Sequence, residues 1–203
     1  EYKDQLVPTG ALNDVGALLR TNVDRSFRRG LEVAAESQWG RHWSVYGNAT
    51  ISSNRIAEFE EVLYDYLDYS EVKTLYTNTP IAFSPSFMAN AIVKYVWTTP
   101  SMQNTASQAY VSLRAKAVGR QFLDNTGRVS RSLDPYQTFD LQFSYPGTWG
   151  SIKVDFLNVL NAQFAPNGYT WGYLYGGQRT DENFYYPMAG RMVMLTYTLD
   201  LGE

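Results

Sequence analysis

Cysteine is absent from this 203-residue chain, and histidine occurs once, at His42. Disulfides and thiolate metal sites are therefore excluded, and a lone imidazole makes neither a metal-ligand set nor the base of a Ser-His-Asp arrangement. Charge of neither sign dominates: 17 Lys and Arg against 20 Asp and Glu leave a formal charge of -3. Nucleic-acid binding would need a basic excess that is not there. No run approaches the roughly 20 apolar residues of a spanning helix. If this chain meets a membrane, it does so with strands closed into a barrel. An initiator Met, a basic leader and a signal-like apolar run are also missing, and Glu1-Tyr2-Lys3-Asp4 begins as if in mid-strand. The chain reads as a mature product or a piece of something longer.

Aromatic residues, in contrast, are plentiful at 15%, with 16 Tyr and 5 Trp, which suits an all-β protein or a membrane interface. The segment Ala189–Leu201 sets Val193, Leu195, Tyr197, Leu199 and Leu201 against Met192, Met194, Thr196, Thr198 and Asp200. Its period of two is that of a strand, long enough to cross a bilayer at roughly 9–11 tilted residues. Seven earlier segments alternate in the same way. A truncated strand ends at Gln5–Val7, with a loop to about Arg25, and further strands run Ser26–Ser37, Trp43–Ser52, Phe87–Trp97, Val111–Ala117, Thr138–Tyr145 and Ile152–Phe156. The last of these slips near Leu157-Asn158-Val159, in the manner of a bulge. The 57–85 insertion reads as a charged loop with a short helix from Glu58 to Leu67.

The connections alternate long and short. In an up-and-down antiparallel barrel this puts all short turns at one rim and all long loops at the other, the asymmetry of outer-membrane barrels. Trp39, Trp43, Trp97 and Trp149 fall at or beside the short turns, as an interfacial girdle would. The strand charges Glu32, Lys94, Arg114, Lys116, Asp140, Lys153, Asp155 and Asp200 all oppose the apolar face. A soluble β-sandwich also alternates but has no reason to segregate loop length by parity. The fold expected is an all-β, transmembrane, antiparallel up-and-down β-barrel.

Several stretches carry a family resemblance. Tyr2-Lys3-Asp4-Gln5-Leu6-Val7-Pro8-Thr9-Gly10, Asn13-Asp14-Val15-Gly16, Ser26-Phe27-Arg28-Arg29-Gly30-Leu31-Glu32, Asn158-Val159-Leu160-Asn161 with Asn167-Gly168-Tyr169, and Pro187-Met188-Ala189-Gly190-Arg191 resemble the C-terminal barrel of TonB-dependent outer-membrane receptors of the Bacteroidetes type. The resemblance covers essentially residues 1–203. It implies the last eight strands of a plugged barrel of roughly 22, in the bacterial outer membrane, with long loops extracellular and the C-terminus periplasmic. It also implies transport without catalysis or cofactor, of a siderophore-type metal chelate, or alternatively a glycan or peptide. Expected partners are the plug domain and remaining barrel strands, the TonB complex through an N-terminal part, outer-membrane lipid and lipopolysaccharide, and a surface lipoprotein. The reading from another class is a self-contained eight-stranded barrel serving adhesion or structure.

Candidate ligand contacts lie in the 165–188 loop: Tyr169, Trp171, Tyr173, Tyr175, Phe184, Tyr185 and Tyr186 for stacking, and Arg179 for an anionic group. Packing of the loop itself is the competing use of those rings. Arg114, Lys116, Arg120 and Asp140 are expected to face the lumen and the plug. Glu58, Glu60, Glu61, Asp65, Asp68 and Glu71 could hold a divalent cation through oxygens or a cationic ligand, but read mainly as a solvated acidic run, without the ordered spacing of a calcium loop. Gly176-Gly177 is a loop signal, and Asn48-Ala49-Thr50 a chance sequon in mid-strand.

Overall fold

The computed structural model describes residues 1–12, 18–99, 107–147 and 150–199. Trp149, Asn13-Asp14-Val15-Gly16, Asp200 and Leu201, all invoked above, lie outside the described residues. In chain order the strands are β1 (Tyr2–Leu12), β2 (Leu18–Trp39), β3 (Trp43–Tyr64), β4 (Glu71–Pro80), β5 (Phe87–Thr99), β6 (Ser107–Val118), β7 (Gln121–Phe122), β8 (Ser132–Leu133), β9 (Tyr136–Gly147), β10 (Gly150–Leu157), β11 (Asn167–Tyr175), β12 (Gln178–Tyr186) and β13 (Met192–Leu199). A 3-10 turn, Val129–Arg131, precedes β8.

Eight of these strands form one antiparallel wall in the order β1-β2-β3-β5-β6-β9-β10-β13, with β4 added on β3. They are the eight segments expected from the alternation. Among the described residues β1 and β13 are the two outer edges and do not pair with each other. That corrects the self-contained barrel: these eight strands form an open arc, and each edge presents a row of backbone groups.

One register row shows how the wall is built. Trp39, Trp43, Tyr95, Val111, Phe143, Val154 and Leu195 stand side by side across seven strands. One residue away, Gln38, Ser44, Lys94, Ser112, Gln142 and Asp155 form the matching row on the opposite face. Among the described residues the apolar side chains on the first face meet no second layer, and Leu195 is 73% exposed. Polar side chains on the second face satisfy one another: Tyr110 donates to Gln142 at 2.8 Å, Gln142 to Asp155 at 2.5 Å, and Lys153 pairs with Asp155 at 3.3 Å. The short-turn rim of the apolar face carries a chain of ring contacts, Trp43–Tyr95 at 4.8 Å, Tyr95–Trp97 at 6.0 Å and Trp97–Phe143 at 6.0 Å.

At the other end the structure departs from the sequence reading in four places. Residues 8–12 and 18–25 continue β1 and β2 instead of forming a loop, because they pair with each other down to Leu12↔Leu18. Glu58–Leu67 is not a helix; β3 runs on to Tyr64 and pairs with β4 from Arg55↔Pro80 to Tyr64↔Glu71. The 165–188 loop is a hairpin, β11–β12. The slip after Phe156 is a strand end, not a bulge: Asn158 and Asn161 adopt φ of 49° and 54°, and the Asn158 side chain both accepts from and donates to the Ala162 backbone at 2.9 Å.

These extensions supply an apolar core that the wall itself lacks. Val7, Val23, Ile56, Phe59 and Ile81 are buried together, with Tyr76 packed against them. In β3 the buried positions run Ile56, Phe59, Glu61, Leu63, so the alternation shifts by one residue where the pairing skips Ala57 and Asn78 and Asn78 has φ of 52°. That shift turns Glu61 inward.

Candidate functional site at the loop end

The β11–β12 hairpin turns at Gly176-Gly177, whose φ values of 57° and 78° are the paired positive angles a two-residue type I′ turn demands. Its register sets two distinct faces. Tyr169, Trp171 and Tyr173 of β11 share a face with Phe184 and Tyr186 of β12. Tyr169 stacks on Phe184 at 4.7 Å, Trp171 meets Tyr173 at 5.2 Å, and Tyr66 abuts Tyr173 edge-on at 5.4 Å. The opposite face carries Gly168, Thr170, Gly172 and Leu174 with Arg179, Asp181, Asn183 and Tyr185.

That second face is anchored by charge. Arg131, 1% exposed, donates through Nη1 to Glu61 at 2.8 Å and Asp124 at 2.6 Å, and through Nη2 to Asp181 at 2.6 Å. Arg179 donates to both oxygens of Glu61, at 2.8 and 2.9 Å, and through Nε to Asp181 at 2.7 Å. Arg128 completes the balance with Nε 3.4 Å from Asp181. Three carboxylates thus converge on three guanidiniums drawn from β3, the 122–133 loop and β12. Burial pushes the Glu61 carboxyl up, but the hydrogen bond from Arg179 and the charges of Arg131 and Arg179 outweigh it and hold the group below its ordinary range. Asp181 is held low by the same opposition of burial against Arg179 and Arg131.

Gly172 makes the arrangement sterically feasible, since a Cβ there would coincide with the Arg131 guanidinium. Asp65 secures the hairpin tip: its carboxylate accepts the backbone N–H groups of Leu67 at 3.0 Å, Gly177 at 2.7 Å and Gly176 at 2.9 Å, which lower its pKa. Asn125, fully buried, donates to the Pro8 carbonyl at 2.7 Å and accepts from Ala82 N–H at 2.8 Å, tying the loop to β1 and to the β4–β5 link. The hairpin leaves the wall between β10 and β13, yet β11 lies against β1 and β3. It therefore reaches back from one end of the arc toward the other. Glu61 stands far from the short turns: 18 residues beyond Trp43, it lies on the order of 45 Å up a tilted strand, well past an apolar band of about 25 Å.

The sequence-based candidates divide accordingly. Tyr169, Trp171, Tyr173 and Tyr186 come together with Phe184 on one face, Tyr175 is exposed at the tip, and Tyr185 lies on the opposite face. Arg179 is also on the opposite face, with its donors taken by Glu61 and Asp181. Arg114, Lys116 and Asp140 are on the polar face of the wall, where Lys116 and Asp140 line a pocket of about 270 Å³ with Tyr136, Phe164 and Met192. Arg120 is off the wall, beyond the end of β6, donating to Ser132 at 2.7 Å and paired with Asp134 at 3.1 Å. Glu61 and Asp65 are buried partners, not members of a solvated run. Asp124 and Asp181 are not among the candidates, although Asp124 pairs with Arg131 seven residues on and Asp181 with Arg179 two residues back; of these bonds and the one between Arg131 and Asp181, only the last spans a long stretch of chain.

Comparison with curated proteins returns no match. Residues 1–162, from β1 through the Asn158–Asn161 turn, match the family described as TonB dependent receptor-like, beta-barrel. The open antiparallel arc with one apolar and one polar face is what a portion of such a barrel must be, and the chain belongs to the TonB-dependent receptor β-barrel family.

Proposed function

We propose that this chain is the C-terminal part of the barrel of a TonB-dependent transporter of the Bacteroidetes type, and that its cargo is a siderophore-type metal chelate or a similar nutrient. The family match is the ground for the barrel and its transport role, while the C-terminal placement and the Bacteroidetes type rest on the sequence resemblance alone. One observation carries the second: an aromatic hairpin face held across the loop end by buried ion pairs. Flat, apolar rings fixed on a rigid ribbon suit a planar or ring-bearing ligand, each close ring contact contributing about 0.5–1.5 kcal/mol. In this reading the long loops are extracellular, the short turns and C-terminus periplasmic, and the arc continues into a barrel of roughly 22 strands.

Ligand contacts are assigned to Tyr169, Trp171, Tyr173, Phe184 and Tyr186. Arg179 drops out of the ligand set because its guanidinium serves Glu61 and Asp181. Arg114 and Lys116, with Asp140, face a plug domain, whose charges would pair theirs within a filled lumen. Lipopolysaccharide borders the apolar face, and a surface lipoprotein would cover the loops. The same ring ladder also suits sugar rings, which keeps a glycan importer as the second reading.

Calorimetric titration of the assembled receptor in nanodiscs tests both. Ferric catecholate, ferric hydroxamate and a neutral oligosaccharide are the three probes. Saturable binding of a ferric chelate, weakened roughly tenfold to a hundredfold by Trp171→Ala with Tyr173→Ala, is the expected result. Binding of the oligosaccharide alone would transfer the site to the glycan reading, and binding of none would remove the ligand assignment.

A further inference from the structure

The wall forks at its loop end. β2 and β3 pair from Trp39↔Trp43 up to Ser26↔Ile56 and no further. Above that point β2 pairs only with β1, and β3 only with β4. Among the described residues, the stretches 18–25 and 57–64 therefore face each other as two strand edges with no ladder between them. A groove of about 580 Å³ lies in the fork. We infer that this groove docks an extended cationic peptide, which adds as a strand to the free edge of β3.

Three properties of the groove select that occupant. First, an unpaired strand edge is a template for another extended chain, with main-chain hydrogen bonds giving the affinity and alternate side chains the selectivity. Eight residues of edge span about 26 Å, room for a peptide of that length. Natural edges are commonly blunted by Lys or Pro, and 57–64 contains neither. Second, the groove is acidic. Among the described residues Asp24, Glu58, Glu60 and Glu71 line it and no Lys or Arg does, while Lys73 reaches Glu60 from the β4 side, at 3.2 Å. A second copy of this edge would bring the same carboxylates into opposition, which cross-strand pairing disfavours. Third, the two faces of β3 differ. Glu58, Glu60, Val62 and Tyr64 lie on the open face, while Phe59, Glu61 and Leu63 are buried beneath the loops. A fitting peptide thus alternates: Lys or Arg beside Glu58 and Glu60, apolar residues beside Val62 and Tyr64, and small residues on the closed side.

The test uses the assembled receptor in nanodiscs and a fluorescein-labelled peptide, Lys-Ala-Lys-Ala-Val-Ala-Leu, blocked at both ends. Fluorescence anisotropy is expected to show saturable binding. Affinity should fall at least tenfold when alternate peptide nitrogens are methylated, when Glu replaces Lys in the peptide, or when the receptor carries Glu58→Lys with Glu60→Lys. Both substituted side chains are exposed, and retained ferric-chelate binding or unchanged heat-modifiable mobility would verify that this receptor variant is folded. Equal binding of the N-methylated peptide would reduce the effect to charge attraction and overturn strand addition. No saturable binding, or binding indifferent to the receptor variant, would overturn the groove assignment. Concentration-dependent self-association abolished by the same variant would give the groove to a second copy and equally overturn the inference.

Discussion

Replacing Arg131 with Met removes the guanidinium while keeping much of the side-chain volume. Three bonds of 2.6–2.8 Å disappear, to Glu61, Asp124 and Asp181. Arg179 still neutralises Glu61 and reaches Asp181, but among the ion pairs of the described residues Asp124 has only Arg131. Asp124 and Arg131 are both almost wholly shielded from solvent, so water cannot replace the lost partner and no surface discount applies. Breaking such a buried pair costs about 3–5 kcal/mol. That cost falls on the docked state of the hairpin and the 122–133 loop; among the described residues the wall reaches the cluster only at the loop end of β3, through Glu61. Hydrogen exchange on the receptor in nanodiscs should then show amides of 167–186 exchanging roughly two to three and a half orders of magnitude faster, with β5, β6 and β9 unaltered. Adding Asp124→Asn to the Met variant removes the stranded charge and should recover part of the protection. Unchanged exchange in the hairpin would refute the claim that these charges hold it, as would acceleration spread evenly over the wall.

Three other outcomes follow from the same geometry. Gly172→Ala drives a methyl group into the Arg131 guanidinium, which three carboxylates hold in place; hairpin exchange should accelerate in that variant, and much less when Arg131→Met is already present. Because the Glu61 and Asp181 carboxyls titrate lower in the docked cap than in an open chain, their contribution is complete above about pH 5 and is lost as pH falls through the open-chain and then the lowered values. Hairpin protection, corrected for intrinsic exchange, should be flat from neutrality to about pH 5 and then decline; a gain on acidification would contradict the sign. Spin labels at Leu141 and Phe143 should report lipid contact, while one at Gln142, whose side chain joins Tyr110 and Asp155 on the polar face, should not; equal water access at all three would sink the lipid assignment.

The wall strands were readable because two different solvents write two different residue classes on alternate positions. Leu141, Gln142 and Phe143 could hardly be sorted otherwise. Beyond the apolar band that contrast vanishes, and local preference misled. Glu58–Leu67 contains good helix formers, yet pairing with β4 overrode propensity. The stretch from Pro8 to about Arg25 read as a loop, but Pro8 and Leu12 find partners on β2. The β11–β12 hairpin did carry a signal: Gly-Gly flanked by alternating aromatic runs is a tight-turn signature. The charge cluster carried none, for Glu61 and Arg131 are 70 residues apart and Glu61 and Arg179 are 118 apart. The buried or solvated state of an acid depends on such partners, not on its neighbours in the chain.

A ribbon that leaves one end of an arc and is pinned near the other is a chord, and a chord of fixed length sets the radius of its arc. The β11–β12 hairpin stands in that relation to the wall, departing beside β13 and fastened to β1 and β3. Its length would then govern how sharply eight strands curve, and a shortened hairpin would tighten the wall rather than merely trim a loop.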